Sequence, residues 1–167
     1  KHLKVYDDPN VIYTFHMYHP HGFTHQRGVL QSGPLYYNRD IPYPDTLDRL
    51  RDYELVVSDG RNKNAFAGEK AFDRTFMEHS LAPAVEWAKA HPDKILWNGE
   101  FGTIRHAKMA WRVAYMRDVV QICKKACIPY CVWNYCSTPN DGNRFSLVDD
   151  DTREILSSEL LKALHGE

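Results

Sequence analysis

The chain has 167 residues, 43% of them apolar, and a formal net charge of −1. That length and composition fit one globular domain with a sizeable core, not a disordered tail. The near-neutral charge gives no electrostatic reason to expect nucleic acid or an anionic membrane as partner, and no apolar run approaches the roughly 20 residues of a membrane span.

The first strand signal is Val11 to Tyr18 (V-I-Y-T-F-H-M-Y), rich in β-branched and aromatic residues and preceded by the turn signal Asp8-Pro9-Asn10. A loop dense in Gly, Pro, Asn and His is expected from His19 to about Pro44. Thr46 to Leu55 carries Leu47, Leu50 and Leu55 at helical spacing, and a polar loop follows around Ser58 to Gly68. Asp73 to His91 reads as a helix, with Pro83 expected to kink or split it. Lys94 to Gly102 (K-I-L-W-N-G-E-F-G) predicts a second strand running into a turn, and Ala107 to Ala126 the strongest helix. Ile128 to Tyr135 (I-P-Y-C-V-W-N-Y) predicts a third strand, Ser137 to Asn143 a loop, and Asp150 to Leu164 a closing helix.

Strand–helix alternation of this kind points to β/α units, a parallel sheet and right-handed crossovers. Neither an internal repeat nor a domain boundary is visible, so residues 1–167 are read as a single domain. The first residue is Lys1 and no signal-peptide pattern precedes the first strand; the expectation is a processed, excised or truncated product. Cys123, Cys127, Cys131 and Cys136 form no C-x-x-C pair, which argues against a zinc ribbon or a thioredoxin-type motif. They are expected to be half-buried thiols, although a secreted context leaves a disulfide open.

In a parallel β/α sheet, ligands bind at the C-terminal ends of the strands. The three predicted strands end in His16-Met17-Tyr18, Asn98-Gly99-Glu100 and Val132-Trp133-Asn134-Tyr135. A carboxylate, an imidazole, a phenol and an indole at one rim suit glycosidic bond cleavage. The carboxylate attacks the anomeric carbon, donors hold it ionised and aimed, and the indole stacks on the sugar. Gly99 and Gly102 flank Glu100 and are expected to let the backbone turn and approach a ligand. Position alone leaves other roles open: Glu100 as a solvated strand-end carboxylate, His16 as a core histidine, Trp133 as a packing residue. Their joint placement favours the functional reading.

Three motifs then occur in order. Y-T-F-H-M-Y-H-P-H-G-F-T-H-Q (Tyr13 to Gln26), W-N-G-E-F-G (Trp97 to Gly102), and V-W-N-Y with R-F-S-L-V-D (Val132 to Asp149) resemble the sixth, seventh and eighth barrel strands of glycoside hydrolase family 5. The resemblance implies a partial (β/α)8 TIM barrel of about three β/α units. It also implies a retaining endo-β-1,4-glucanase-type activity on a β-linked glucan, no cofactor or metal, and a secreted protein. By the same resemblance Glu100 is the nucleophile, His16 and Tyr18 hydrogen-bond within the catalytic carboxylate network, and Trp133 is the platform under the sugar. The His25-Gln26 pair matches a family motif and is given only a loop-shaping role.

The family's general acid/base, a Glu in an Asn-Glu-Pro motif on the fourth strand, has no counterpart here, and the arginine and asparagine of earlier strands are missing as well. Retaining hydrolysis uses two carboxyl groups about 5 Å apart, so the isolated chain is expected to be weak or inactive unless Asp59, Asp141 or Glu69 substitutes. Three parallel strands cannot close a barrel; self-association, or pairing with an N-terminal barrel fragment, is expected to cover the edges. Two rival readings stand beside this one. One is a zinc hydrolase built on His16, His19, His21 and His25; the other is a non-catalytic carbohydrate-binding or assembly fragment.

Overall fold

A computed structural model describes residues 3–29, 31–138 and 140–167. Three strands, β1 (Ile12–Met17), β2 (Ile95–Phe101) and β3 (Tyr130–Val132), form one parallel sheet in the order β1-β2-β3. Between β1 and β2 lie α1 (His21–Thr24), α2 (Ser32–Tyr37), α3 (Asp48–Val57) and α4 (Arg74–Ala90). Helix α5 (Met109–Lys125) joins β2 to β3, and α6 (Ser158–His165) closes the chain.

Alternation along β1 sends Tyr13 and Met17 inward, where they pack with Leu96 and Phe101 of β2 and the apolar faces of α4 and α5. Helix α4 starts where Asp73 accepts the backbone N–H groups of Thr75 and Phe76, an N-cap of the usual kind. Pro83 neither splits nor ends it; the helix is one element of 17 residues with Pro83 on its exposed side. An aromatic cluster of Phe23, Tyr43, Phe72, Phe76 and Tyr115 fills the space between α1, α4 and α5. It ties the long first crossover to the sheet.

Several sequence expectations change. The segment from His19 to Pro44 carries two short helices. It is shaped by Gln26, whose amide nitrogen donates to Phe23 and Ile41 carbonyls while its oxygen accepts the Ile41 N–H. The third strand is only three residues long, because the chain leaves the sheet at Trp133, where the Trp133–Asn134 peptide is cis. The last helix begins at Ser158 rather than Asp150. Asp149 accepts the N–H groups of Asp151 and Thr152 in a turn, Val148 pairs with Ile155, and Ser157 supplies the actual N-cap to Leu160. The cysteines are all free, and they are not uniformly half-buried: Cys123 is buried, whereas Cys127 and Cys131 are exposed.

The sheet is covered on one face only. On the other, Ile12 (55% exposed), Ile95 (52%) and Trp97 (38%) lie open to solvent. All-parallel sheets almost always have both faces covered, so this bare face is the strongest departure from an ordinary domain surface. Among the described residues no helix is long and apolar enough to cross a membrane.

Candidate active site

Glu100 reaches the bare face through a register shift. Thr14 pairs with Trp97 and Phe15 with Asn98, but His16 pairs with Glu100, so Gly99 is an extra residue on β2. Simple alternation from Ile95 and Trp97 would send Glu100 to the helix-covered side with Leu96 and Asn98. The bulge reverses the phase, and Glu100 shares a face with His16 before Phe101 returns to the core beside Met17.

Both flanking glycines allow close approach of neighbouring segments of the sheet. A Cβ on Gly102 would lie 2.1 Å from the Trp133 carbonyl oxygen, and one on Gly99 would lie 2.6 Å from the Thr14 hydroxyl. Gly102 therefore lets Trp133 sit against β2, where its N–H donates to the Phe101 carbonyl at 2.8 Å.

Two groups converge on one oxygen of Glu100. The Tyr18 hydroxyl donates to Oε2 at 3.0 Å, and His16 Nδ1 lies 3.4 Å from the same atom. Among the described residues, Oε1 accepts no hydrogen bond, and the Glu100 side chain is 31% exposed. Burial, then the hydrogen bond and the charge of Glu100, hold the Tyr18 phenol far above the ordinary tyrosine range. It therefore stays a donor at any pH a protein of this type meets. Trp133 stands exposed at the end of β3 with its indole open to solvent.

The other sequence candidates lie elsewhere. Glu69 pairs with His79 at 3.0 Å, Asp141 accepts the Asn143 N–H at 2.8 Å, and Asp59 occupies an exposed left-handed turn after α3. The histidines disperse into ring contacts: His19 stacks on Phe76 at 5.4 Å and His21 on His25 at 3.9 Å. Among the described residues no group of three or more His, Cys, Asp or Glu is placed to hold a metal ion. A cavity of about 290 Å³ between α4 and α5 is lined by Ala82, Val85, Ile122 and Ala126 and shares no residue with the Glu100 rim.

Sequence reasoning missed three contributors. The Gly99 bulge has no signature in one strand read alone. Arg112, 2% exposed, donates to Thr103 Oγ1 and to the carbonyls of Phe145 and Ser146, fixing the exit of β2 to the segment behind Tyr18. Phe145 in turn sets its ring edge against Tyr18 at 5.9 Å. A lone Arg in an amphipathic helix signals none of this.

A parallel β/α sheet with a carboxylate, a phenol and an imidazole at the strands' C-terminal rim defines a sector of a (β/α)8 barrel of the hydrolase type. A family profile described as "Cellulase (glycosyl hydrolase family 5)" matches residues 2–139, and the chain belongs to that family. Among curated proteins it is 28% identical to Endoglucanase C of Acetivibrio thermocellus, an alignment covering 98% of this chain and 46% of that protein. It is 27% identical to Endoglucanase 3 of Fibrobacter succinogenes, covering 87% of this chain and 22% of that one. Among solved structures, a mutant form of Thermotoga maritima Cel5A in complex with cellobiose is 25% identical with a TM-score of 0.68, covering 97% of this chain and 42% of that one. The cellulose synthase subunit Z of Clostridioides difficile matches in fold alone, at 18% identity, 97% and 43% coverage, and a TM-score of 0.65. The chain thus spans about half the length of Endoglucanase C and about a fifth of Endoglucanase 3.

Proposed function

We propose that this chain carries the nucleophile side of a retaining β-1,4-glucanase site, with Glu100 as nucleophile and the general acid/base supplied from outside the chain. The observation that supports this is the convergence of Tyr18 and His16 on Oε2, which leaves Oε1 to attack. In that reaction Oε1 forms a bond to the anomeric carbon as the glycosidic C–O bond breaks. The leaving oxygen takes a proton from the second carboxylic acid, and water then releases the sugar from Glu100. The Tyr18 donor anchored on the non-attacking oxygen, with His16 beside that oxygen, holds the carboxylate in one rotamer. Trp133, exposed at the end of β3, is the sugar platform.

The substrate class is a β-linked glucan, which is polymeric, so a secreted protein is part of the proposal. The bare sheet face is to be covered by further barrel strands or by a second copy of this chain. General acid catalysis contributes about 10²–10⁴-fold, so the uncomplemented chain is expected to be weak.

The test is hydrolysis of carboxymethyl-cellulose by the chain alone, and by the chain mixed with the part of Acetivibrio thermocellus Endoglucanase C that it does not match. Activity in the mixture, lost in Glu100→Gln, is the expected result. Activity that survives Glu100→Gln removes Glu100 as nucleophile. The engagement of Glu69 and Asp141 elsewhere, with Asp59 in an exposed turn after α3, favours a second reading, a non-catalytic carbohydrate-binding or assembly fragment. Cello-oligosaccharide binding without turnover in either sample would support it.

A further inference from the structure

Tyr18 lies just beyond β1, outside the strand ladder, so the sheet does not fix its direction. Its carbonyl accepts the buried Thr24 hydroxyl at 2.7 Å, and Thr24 Oγ1 lies 2.9 Å from His25 Nδ1. A hydroxyl has one proton. The longer 3.4 Å contact to the Pro20 carbonyl leaves Tyr18 as its better acceptor. The proton between Thr24 and His25 must then sit on Nδ1, with Thr24 Oγ1 accepting it.

The His25 ring also meets the Tyr18 ring edge-on at 5.2 Å and Phe145 at 5.1 Å, and it stacks on His21 at 3.9 Å. Thr24 thus holds the main chain of Tyr18, while His25 and Phe145, in contact with each other, both pack against its ring. A stacked imidazole pair at this distance disfavours charge on both rings at once. Burial first, and His21 second, press His25 down to about 4.

We propose that His25 is a positioning residue: as the neutral Nδ1–H tautomer, relayed through Thr24, it keeps the Tyr18 phenol aimed at Glu100. This assigns more than a loop-shaping role to the His25-Gln26 pair. Gln26 shapes the loop, and His25 serves the site. The consequence for catalysis rests on the reading of Glu100 as nucleophile; the tautomer and the aim of Tyr18 do not.

Nitrogen-15 NMR of histidine-labelled chain at neutral pH tests it directly. His25 is expected to carry its proton on Nδ1 with Nε2 bare; an Nε2–H tautomer overturns the proposal. The Cζ resonance of carbon-13-labelled Tyr18 reports its bond to Glu100. Thr24→Val is expected to move that resonance toward the solvent-exposed value, and Thr24→Ser to restore it. An unmoved resonance in folded Thr24→Val also overturns the proposal. If Thr24→Val does not fold, the wild-type tautomer and an unchanged Thr24→Ser spectrum decide. Neither readout depends on turnover. Loss of hydrolysis in Glu100→Gln combined with an Nε2–H His25 sinks the positioning role alone. Retained hydrolysis with the expected tautomer sinks the nucleophile alone.

Discussion

His16 on β1 and Glu100 on β2 are paired across the sheet only because Gly99 is counted out of the ladder. That one-residue bulge decides whether the carboxylate faces the open side or the helices. Bulges next to active sites re-aim side chains in this way.

Deleting Gly99 therefore tests the count directly. The deletion places Glu100 next after Asn98, in the ladder position opposite His16, so plain alternation is expected to keep the carboxylate on the open face and Phe101 in the core. Hydrolysis in the complemented sample is expected to stay above the Glu100→Gln level, and urea denaturation checks that the variant folds. A folded deletion variant at the Glu100→Gln level would show that the bulge does more than set the face.

The two glycines around Glu100 are expected to tolerate alanine unequally. Gly102→Ala places a methyl on the backbone oxygen of Trp133, which cannot rotate away, and is expected to cost about 3 kcal/mol, the upper end for overpacking. Gly99→Ala crowds the Thr14 hydroxyl, a side chain that can turn, makes ordinary contact with the His16 ring, and is expected to cost less. Thermal melting compares the two. Trp fluorescence is expected to shift in Gly102→Ala, because Trp133 must move.

Tyr18→Phe removes the donor to Oε2 and keeps the ring that packs on His25 and Phe145. Hydrogen bonds to charged groups contribute about 1.5–3 kcal/mol. The expected result is thus a roughly 10- to 100-fold lower kcat/KM in the complemented sample, with a melting temperature close to that of the parent. A variant that melts far lower without a change in kcat/KM would make Tyr18 a packing residue.

Acid is expected to weaken the fold before it touches ordinary surface carboxylates. His25 takes up a proton near 6.5 in the unfolded chain but resists to about 4 when folded. Between those values the unfolded state binds more protons, so stability falls as the pH falls. The groups around His25 are the His21 imidazole and the Tyr18 phenol, with Glu54 acting on His21. His19 and His21 are lowered too, mainly by burial, so His25→Asn is expected to make the slope shallower, not flat. Melting temperature against pH for both proteins measures this.

The bare face predicts association. Ile12, Ile95 and Trp97 expose apolar surface on a sheet whose outer strands, β1 and β3, have no further strand beside them among the described residues. Light scattering is expected to give a mass above the 19.4 kDa of one chain, and Trp97→Lys to reduce it. A monodisperse monomer with protected strand amides would count against self-association.

Much of this molecule was legible one segment at a time. The alternation in Ile12–Met17 and the apolar stripes of α4 and α5 set local structure, because backbone period and burial are local properties. The strand-end positions of His16, Tyr18, Glu100 and Trp133 follow from the same reading. What pairing decides was out of reach. The phase of Glu100 depends on how β2 registers against β1, and the length of β3 on where Trp133 leaves the sheet. Asp150 to Ser157 looked helical from Ile155 and Leu156, but the turn at Asp149 and the Val148–Ile155 bridge override that spacing. The link from His25 through Thr24 to Tyr18 and on to Glu100 joins residues 82 positions apart at its last step. Only the tertiary structure could make it, because hydrogen bonds act over about 3 Å of space whatever the distance along the chain.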